Sequence, residues 1–326
     1  MNTLMVNIRS LRAIPLAEVL AFGAIYVLWG STFLAIRIAV LEIPPFLAAG
    51  LRFFVAGGLL YSFMRARGQP RPSPLEWRNL SLIGLCMFVL TYGPLFWAEQ
   101  YVSSSITAVI EATLPITTVT LEIFVFRSQS LKWHVLGGVA LGFIGVALLL
   151  LGNGDQHLAV IPCVVILGAG LAWSCGAVFS GRVALPASRP LAAGAEMLLG
   201  GSVLLGVSAG SGELHPFPHM TVHALLAVSY LIVFGSLVAY TAYVWLLGRH
   251  SATRVSSHAY VNPLVAVALG YFAAGELVTA RTLVAALLIV GSVFLILAGD
   301  RVPRDRSTRV VAAPSPASQK SSRLPG

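Results

Sequence analysis

The chain has 326 residues, of which 57% are hydrophobic and only 10% charged, and its formal net charge is +9. So little polar surface cannot coat a water-facing globule of this size, which excludes a soluble domain and makes the bilayer the solvent. The positive charge is then the sum of loops and a tail placed to meet anionic lipid, and carries no implication of nucleic-acid binding.

Ten apolar segments follow one another, at roughly 17–40, 46–64, 79–99, 105–126, 133–151, 159–182, 191–209, 223–247, 254–274 and 281–298. Each is about 20 residues long, enough to cross a hydrocarbon core of ~30 Å at 1.5 Å per residue. Strand-like alternation is nearly absent, so the spans read as helices and not as a barrel. Before the first, Arg9 and Arg12 mimic the start of a signal peptide. The stretch from Leu16 to Val40 is too long for an h-region and lacks a small-x-small cleavage site, so it is read as a retained span behind a cytoplasmic segment 1–16.

An ionisable or amphipathic residue inside a span is costly in lipid and should face the bundle interior. The first span offers Trp29 and Arg37, and the second Arg52. In the third, Tyr92, Phe96 and Glu99 share a face. The fourth is the most informative: Glu111, Pro115, Thr118 and Glu122 fall at steps of 4, 3 and 4, which places them on one helix face as a polar stripe. Pro115 cannot donate to the carbonyl of Glu111, so a locally opened helix would expose backbone polar groups to a cavity. Glu111 is therefore the leading candidate for substrate contact or coupling. Two readings stand beside each other: an ion pair with Arg37 or Arg52, or, with Glu99 taking the arginine, a carboxyl free to carry a proton in exchange for substrate.

Gly138 and Gly142 in the fifth span, and Gly206 and Gly210 at the end of the seventh, make G-x-x-x-G steps that allow tight helix contact, read as packing within one chain, so that a monomer is favoured. The sixth span carries Trp173. His215, His219 and His223 recur every four positions, but Pro216 and Pro218 interrupt any helix that would align them, so no metal is expected. Cys86, Cys163 and Cys175 lie inside spans with no C-x-x-C spacing and read as packing residues. The eighth span places Ser236, Tyr240 and Tyr243 on one face, and the ninth sets His258 and Asn262 a turn apart before Pro263. The tail 299–326, rich in Ser, Pro and Arg, is predicted to be disordered in the cytoplasm.

Residues 92–124 overlie 240–272 at an offset of 148 without a gap, pairing among others Tyr92 with Tyr240, Trp97 with Trp245 and Pro115 with Pro263. Trp29 and Trp173 occupy corresponding points nearer the front of each half. This is an internal duplication, with repeats over 17–151 and 152–298. Five spans per repeat force the second copy to enter the membrane the other way up. The charges agree, since 18 of the 21 Lys and Arg fall on one side of the predicted membrane and only Arg37, Arg52 and Arg281 near the other. By the positive-inside rule both termini are cytoplasmic. The expected fold is an all-α polytopic membrane protein of ten transmembrane helices in two inverted five-helix repeats.

The run Leu28-Trp29-Gly30-Ser31-Thr32-Phe33, the Pro115 and Pro263 pair, and Gly275-Glu276 closing the ninth span resemble the EamA-type branch of the drug/metabolite transporter superfamily over residues 17–298. Where the first repeat should also end its fourth span in Gly-Glu, the chain has Phe126-Arg127-Ser128. The resemblance implies a secondary carrier of the bacterial-type inner membrane, often an exporter, with a small metabolite, amino acid or drug held centrally. Its partners would be that substrate, membrane lipid and, if Glu111 titrates, protons; no cofactor is implied. An enzyme would need a clustered acid, base or metal constellation, and no H-x-x-x-H, G-x-S-x-G or paired acidic motif occurs in the spans. A channel remains an alternative, separable from a carrier by flux that does not saturate.

Overall fold

A computed structural model describes residues 16–127, 132–150, 159–215, 220–247 and 258–298, together with Arg249 and Val255. The expectations for the segment before Leu16, the tail, and the row of histidines through Pro216, Pro218 and His219 lie outside the described residues. The described chain is built of helices: α1 Leu16–Val40, α2 Pro45–Ala66, α3 Pro74–Ala98, α4 Ser104–Phe124, α5 Trp133–Leu150, α6 Val160–Ser180, α7 Arg189–Gly210, α8 Val222–Leu246, α9 His258–Ala274 and α10 Ala280–Ala298. Seven of them, α1 to α4 and α6 to α8, are long and apolar enough to cross a membrane, and α5, α9 and α10 contain shorter apolar stretches. The outer surface is apolar in keeping with lipid as solvent: Phe272 is 83% exposed and Ile161 73%.

Local chemistry sets the helix starts. Ser73 and Glu76 form a reciprocal capping box ahead of Pro74, which begins α3 five residues before the apolar run at 79. Ser103 caps α4, Thr221 caps α8, and prolines open α2 and α7. Three helices carry widened π-helical turns, over Ala24–Leu28 in α1, Leu85–Val89 in α3 and Leu231–Tyr240 in α8.

The packing repeats under exchange of halves. Helix α2 packs on α7, α5 on α10 and α4 on α9, while α1 lies against α8 and α9 as α6 lies against α3 and α4. The α2–α7 crossing shows the symmetry residue by residue. A Cβ at Gly57 would strike the backbone of Leu198, and one at Gly201 the backbone of Phe54; Gly50 faces Leu205, and Gly194 faces Tyr61. Every one of these positions in α7 lies 144 residues after its counterpart in α2. The helices run antiparallel, as two copies related by a twofold axis in the membrane plane must. The offset grows to 148 beyond this point because the loop after α7 is four residues longer than the loop after α2. Of the expected G-x-x-x-G steps, Gly142 is packed against Ile116 and Ser292, whereas Gly206 and Gly210 meet open space among the described residues. Among the described glycines, the closest approaches to another helix's backbone are those of Gly50, Gly57, Gly194 and Gly201.

Replacing Gly57 or Gly201 by Leu forces the same two backbones apart, so each variant should lose more than about 2 kcal/mol of stability. Gly206→Leu should leave the melting temperature of the detergent-purified protein unchanged, and equal melting of all three variants would contradict the crossing.

Candidate functional site

The helices of both halves meet around a small central cavity lined by Trp29, Thr32, Phe33 and Ile36 of α1, Thr91, Tyr92 and Leu95 of α3, Ala108, Glu111, Ala112 and Leu114 of α4, Trp173 of α6, and His258, Ala259, Asn262 and Pro263 of α9. Its unfilled space is about 60 Å³, room for a few waters and not for a metabolite. Glu111 and Ala259 are the positions matched by the duplication, so one wall carries a carboxyl where the other has a methyl.

Helix α4 is interrupted at this point. Its first segment ends at Glu111 and the second starts at Leu114, with Pro115 in its first turn. The Thr113 hydroxyl donates to the Ile110 carbonyl at 2.8 Å within the break. Glu111 Oε1 is buried in the protein without a hydrogen-bond partner. The matched Pro263 sits inside a continuous α9, so the two prolines act differently.

Neither arginine named in the sequence reading is hydrogen-bonded to Glu111. Arg37 donates to the backbone carbonyl of Glu99. Arg52 is 1% exposed, donates from Nε to Ser236 Oγ at 3.0 Å, and places its guanidinium 5.0 Å from the centre of the Tyr92 ring and 4.6 Å from that of Phe53. Its Nη1 and both carboxylate oxygens of Glu99 are buried without hydrogen bonds.

The aromatic residues form one connected cluster. Trp29 and Trp173, from equivalent places in the two halves, meet edge to face with ring centres 6.2 Å apart. Trp29 also lies 5.0 Å from Tyr243 and 5.1 Å from His258, and Tyr92 lies 6.0 Å from Trp173. The Trp29 indole N–H donates at 3.0 Å to the Gly235 carbonyl, in the π-helical part of α8. The His258 ring Nδ1 donates to the Val255 carbonyl at 3.0 Å. Asn262, with its amide oriented to suit its neighbours, donates to the carbonyls of His258, Ile25 and Tyr26.

Trp29, Tyr92, Glu111, Trp173, His258 and Asn262 thus share the cavity, with Tyr243 packed behind it. Phe96 and Glu99 are fully buried in the packing beyond, and Pro115, Tyr240, Arg37 and Arg52 also lie off the cavity lining. Sequence reasoning passed over Glu196. This residue of α7 is 5% exposed and accepts a hydrogen bond from Tyr240 at 2.9 Å. It occupies the position 144 residues after Arg52, so the two halves hold opposite charges at one matched site, each beside the matched tyrosine. A carboxylate inside a span was signal enough to have found it.

The end of the bundle opposite Leu16 and Ala298 is tied across the two halves by three carboxylates. Glu276, after the left-handed Gly275 that ends α9, takes the Ser104 N–H at 2.8 Å and Oγ–H at 2.7 Å, and the Ser105 N–H at 3.0 Å and Oγ–H at 2.5 Å. It thereby caps α4 with a negative charge where the helix dipole is positive. Glu213 takes the Phe46 and Leu47 N–H groups at 3.2 and 2.9 Å at the start of α2, and Glu42 takes the Thr221 N–H at 3.1 Å and its hydroxyl at the start of α8. At the position matching Gly275, Arg127 keeps a left-handed φ of 49°, alone among the described non-glycine residues. The backbone bend survived the duplication where the Gly-Glu pair did not.

A model described as "EamA-like transporter family" matches residues 16–151 and again 160–298. A protein of Escherichia coli K12 named "Uncharacterized inner membrane transporter YedA" is 37% identical over 284 residues, covering 86% of this chain and 90% of its own. A Salmonella typhimurium protein named "Probable amino-acid metabolite efflux pump" is 28% identical, covering 86% of this chain and 94% of its own. One crystal structure, 21% identical, superposes with a TM-score of 0.60 over 88% of this chain and 99% of the other, a likeness of fold alone.

Because Glu276 holds four donors at a helix start, Glu276→Ala should lower stability by about 2 kcal/mol or more, while Glu42→Ala, on an exposed pair, should cost well under about 1 kcal/mol. Thermal unfolding in detergent reads both, and equal losses would contradict the ranking.

Proposed function

The chain belongs to the EamA-like transporter family, and from that premise we propose that this membrane transporter exports a small metabolite, amino acid or drug across the bacterial inner membrane by alternating access, exchanging it for protons at Glu111. The observation that carries the reading is a small central cavity where α1, α3, α4, α6 and α9 meet, with a carboxyl in its wall whose Oε1 is buried without a hydrogen bond. The cavity is flanked on one face by carboxylate caps that join the two halves. With both termini cytoplasmic, that face is the periplasmic one and the state described has its outer gate shut.

Inverted repeats supply the second state. Two halves of like backbone can exchange conformations, so that the gate closed on one side opens while its counterpart closes. Opening outward requires the caps on α2, α4 and α8 to release, and these are hydrogen bonds to carboxylates, not covalent barriers. The relative named as an efflux pump supports the outward direction.

Proton exchange rests on Glu111 standing apart from a fixed cation. Tyr92 and Glu99 of α3 interact electrostatically with Glu111, and His258 of α9 lines the same cavity. None of the hydrogen bonds described for these residues reaches Glu111 Oε1. A carboxyl of this kind is neutral with a proton and anionic without one, so it can tie substrate occupancy to proton release.

Reconstitution into proteoliposomes tests the reading. Wild-type protein should show saturable counterflow of substrate that varies with the pH difference across the membrane. Glu111→Gln should retain substrate-for-substrate exchange and lose that pH dependence; unsaturable flux, or unchanged pH dependence in the variant, would overturn it.

A further inference from the structure

We propose that the central cavity selects substrates bearing a protonated or quaternary amine, which would sit against the Glu111 carboxylate and the rings of Trp29 and Trp173. This rests on the carrier reading above and adds the charge of the cargo.

The lining is one-sided in its chemistry. Among the described residues around the cavity Glu111 is the only formally charged side chain, with no Lys or Arg beside it. At three of the other polar side chains there the donors are already consumed. Since a carbonyl can only accept, the His258 contact with Val255 fixes the proton on Nδ1 and leaves Nε2 as the ring's lone-pair acceptor. The Trp29 N–H is already given to Gly235, and the Asn262 amide hydrogens to three backbone carbonyls. An anionic substrate would meet a carboxyl and lone pairs; an ammonium brings the donors these groups lack.

The aromatic wall points the same way. The negative π faces of Trp and Tyr attract cations, most strongly for Trp and more when the pair is shielded from water. At Tyr92 this capacity is already used by the guanidinium of Arg52. The buried positive charge behind Tyr92 also disfavours a second cation on that side, which leaves the wall formed by Trp29, Trp173 and Glu111. Since Glu111 would take either a proton or the amine of the substrate, occupancy by one excludes the other. That is the requirement for exchange without leak.

The test is binding to the purified protein, independent of flux. The panel would comprise arylalkylamines, amino-acid amides, diamines and quaternary ammonium compounds, each with its carboxylic acid or neutral alcohol counterpart, and would be measured by thermal stabilisation and calorimetry. At least one amine should bind while its acid and alcohol counterparts do not, and Glu111→Gln should weaken that amine at least about tenfold while melting as a folded protein. Glu111→Asp should recover part of the loss, which a merely structural glutamate would not predict. Binding of acids in preference to amines, an affinity indifferent to Glu111→Gln, or no binding by any amine overturns the proposal. Counterflow of a bound acid would leave the carrier reading standing without the cation site; binding of amines with no counterflow would do the reverse.

Discussion

Lipid offers no hydrogen bonds, so every polar group placed inside these helices must find its partner within the chain. Most of the polar residues in the bundle are explained by that constraint. Thr32, Thr113 and Ser292 return their hydroxyls to carbonyls of the preceding turn. Arg52 is held by Ser236 and two aromatic rings, Glu196 by Tyr240, and Glu276 by two serines and the start of α4. Against that background the buried, unbonded oxygen of Glu111 is an exception, and it lies in the wall of a cavity to which both halves contribute.

The duplication explains both the regularity and the exceptions. Backbone relations persist: the glycines of α2 and α7 interlock reciprocally, and Arg127 retains the left-handed bend of Gly275. Side chains at matched positions have diverged, with Arg52 opposite Glu196 and Glu111 opposite Ala259. A perfectly symmetric pair of halves would favour its two end states equally. Here the unlike charges at matched positions give the two halves different electrostatic character.

The spans were legible in the sequence because bilayer thickness fixes their length and the absence of water fixes their composition. The start of α3 was not, because the capping box at Ser73 and Glu76 is polar and precedes the apolar run. The helix crossing was missed for a different reason: a single glycine such as Gly57 reveals its role only when Leu198, far away in sequence, is known to approach it. The fourth and ninth helices carry the same proline, yet only α4 breaks, where the Thr113 hydroxyl takes up the Ile110 carbonyl and the matched Val261 has none to offer. Glu276 could be recognised as part of a motif, but the serines it caps lie in the other half of the chain.

The claim on which the account depends is that the face joined by Glu42, Glu213 and Glu276 must open for cargo to leave. The most direct measurement is transport by a variant with cysteines at positions 42 and 221, in a background lacking Cys86, Cys163 and Cys175, before and after joining them with a short thiol-specific cross-linker. The account predicts that cross-linking stops counterflow and that cleaving the linker restores it. Full transport with the two positions covalently joined would contradict it.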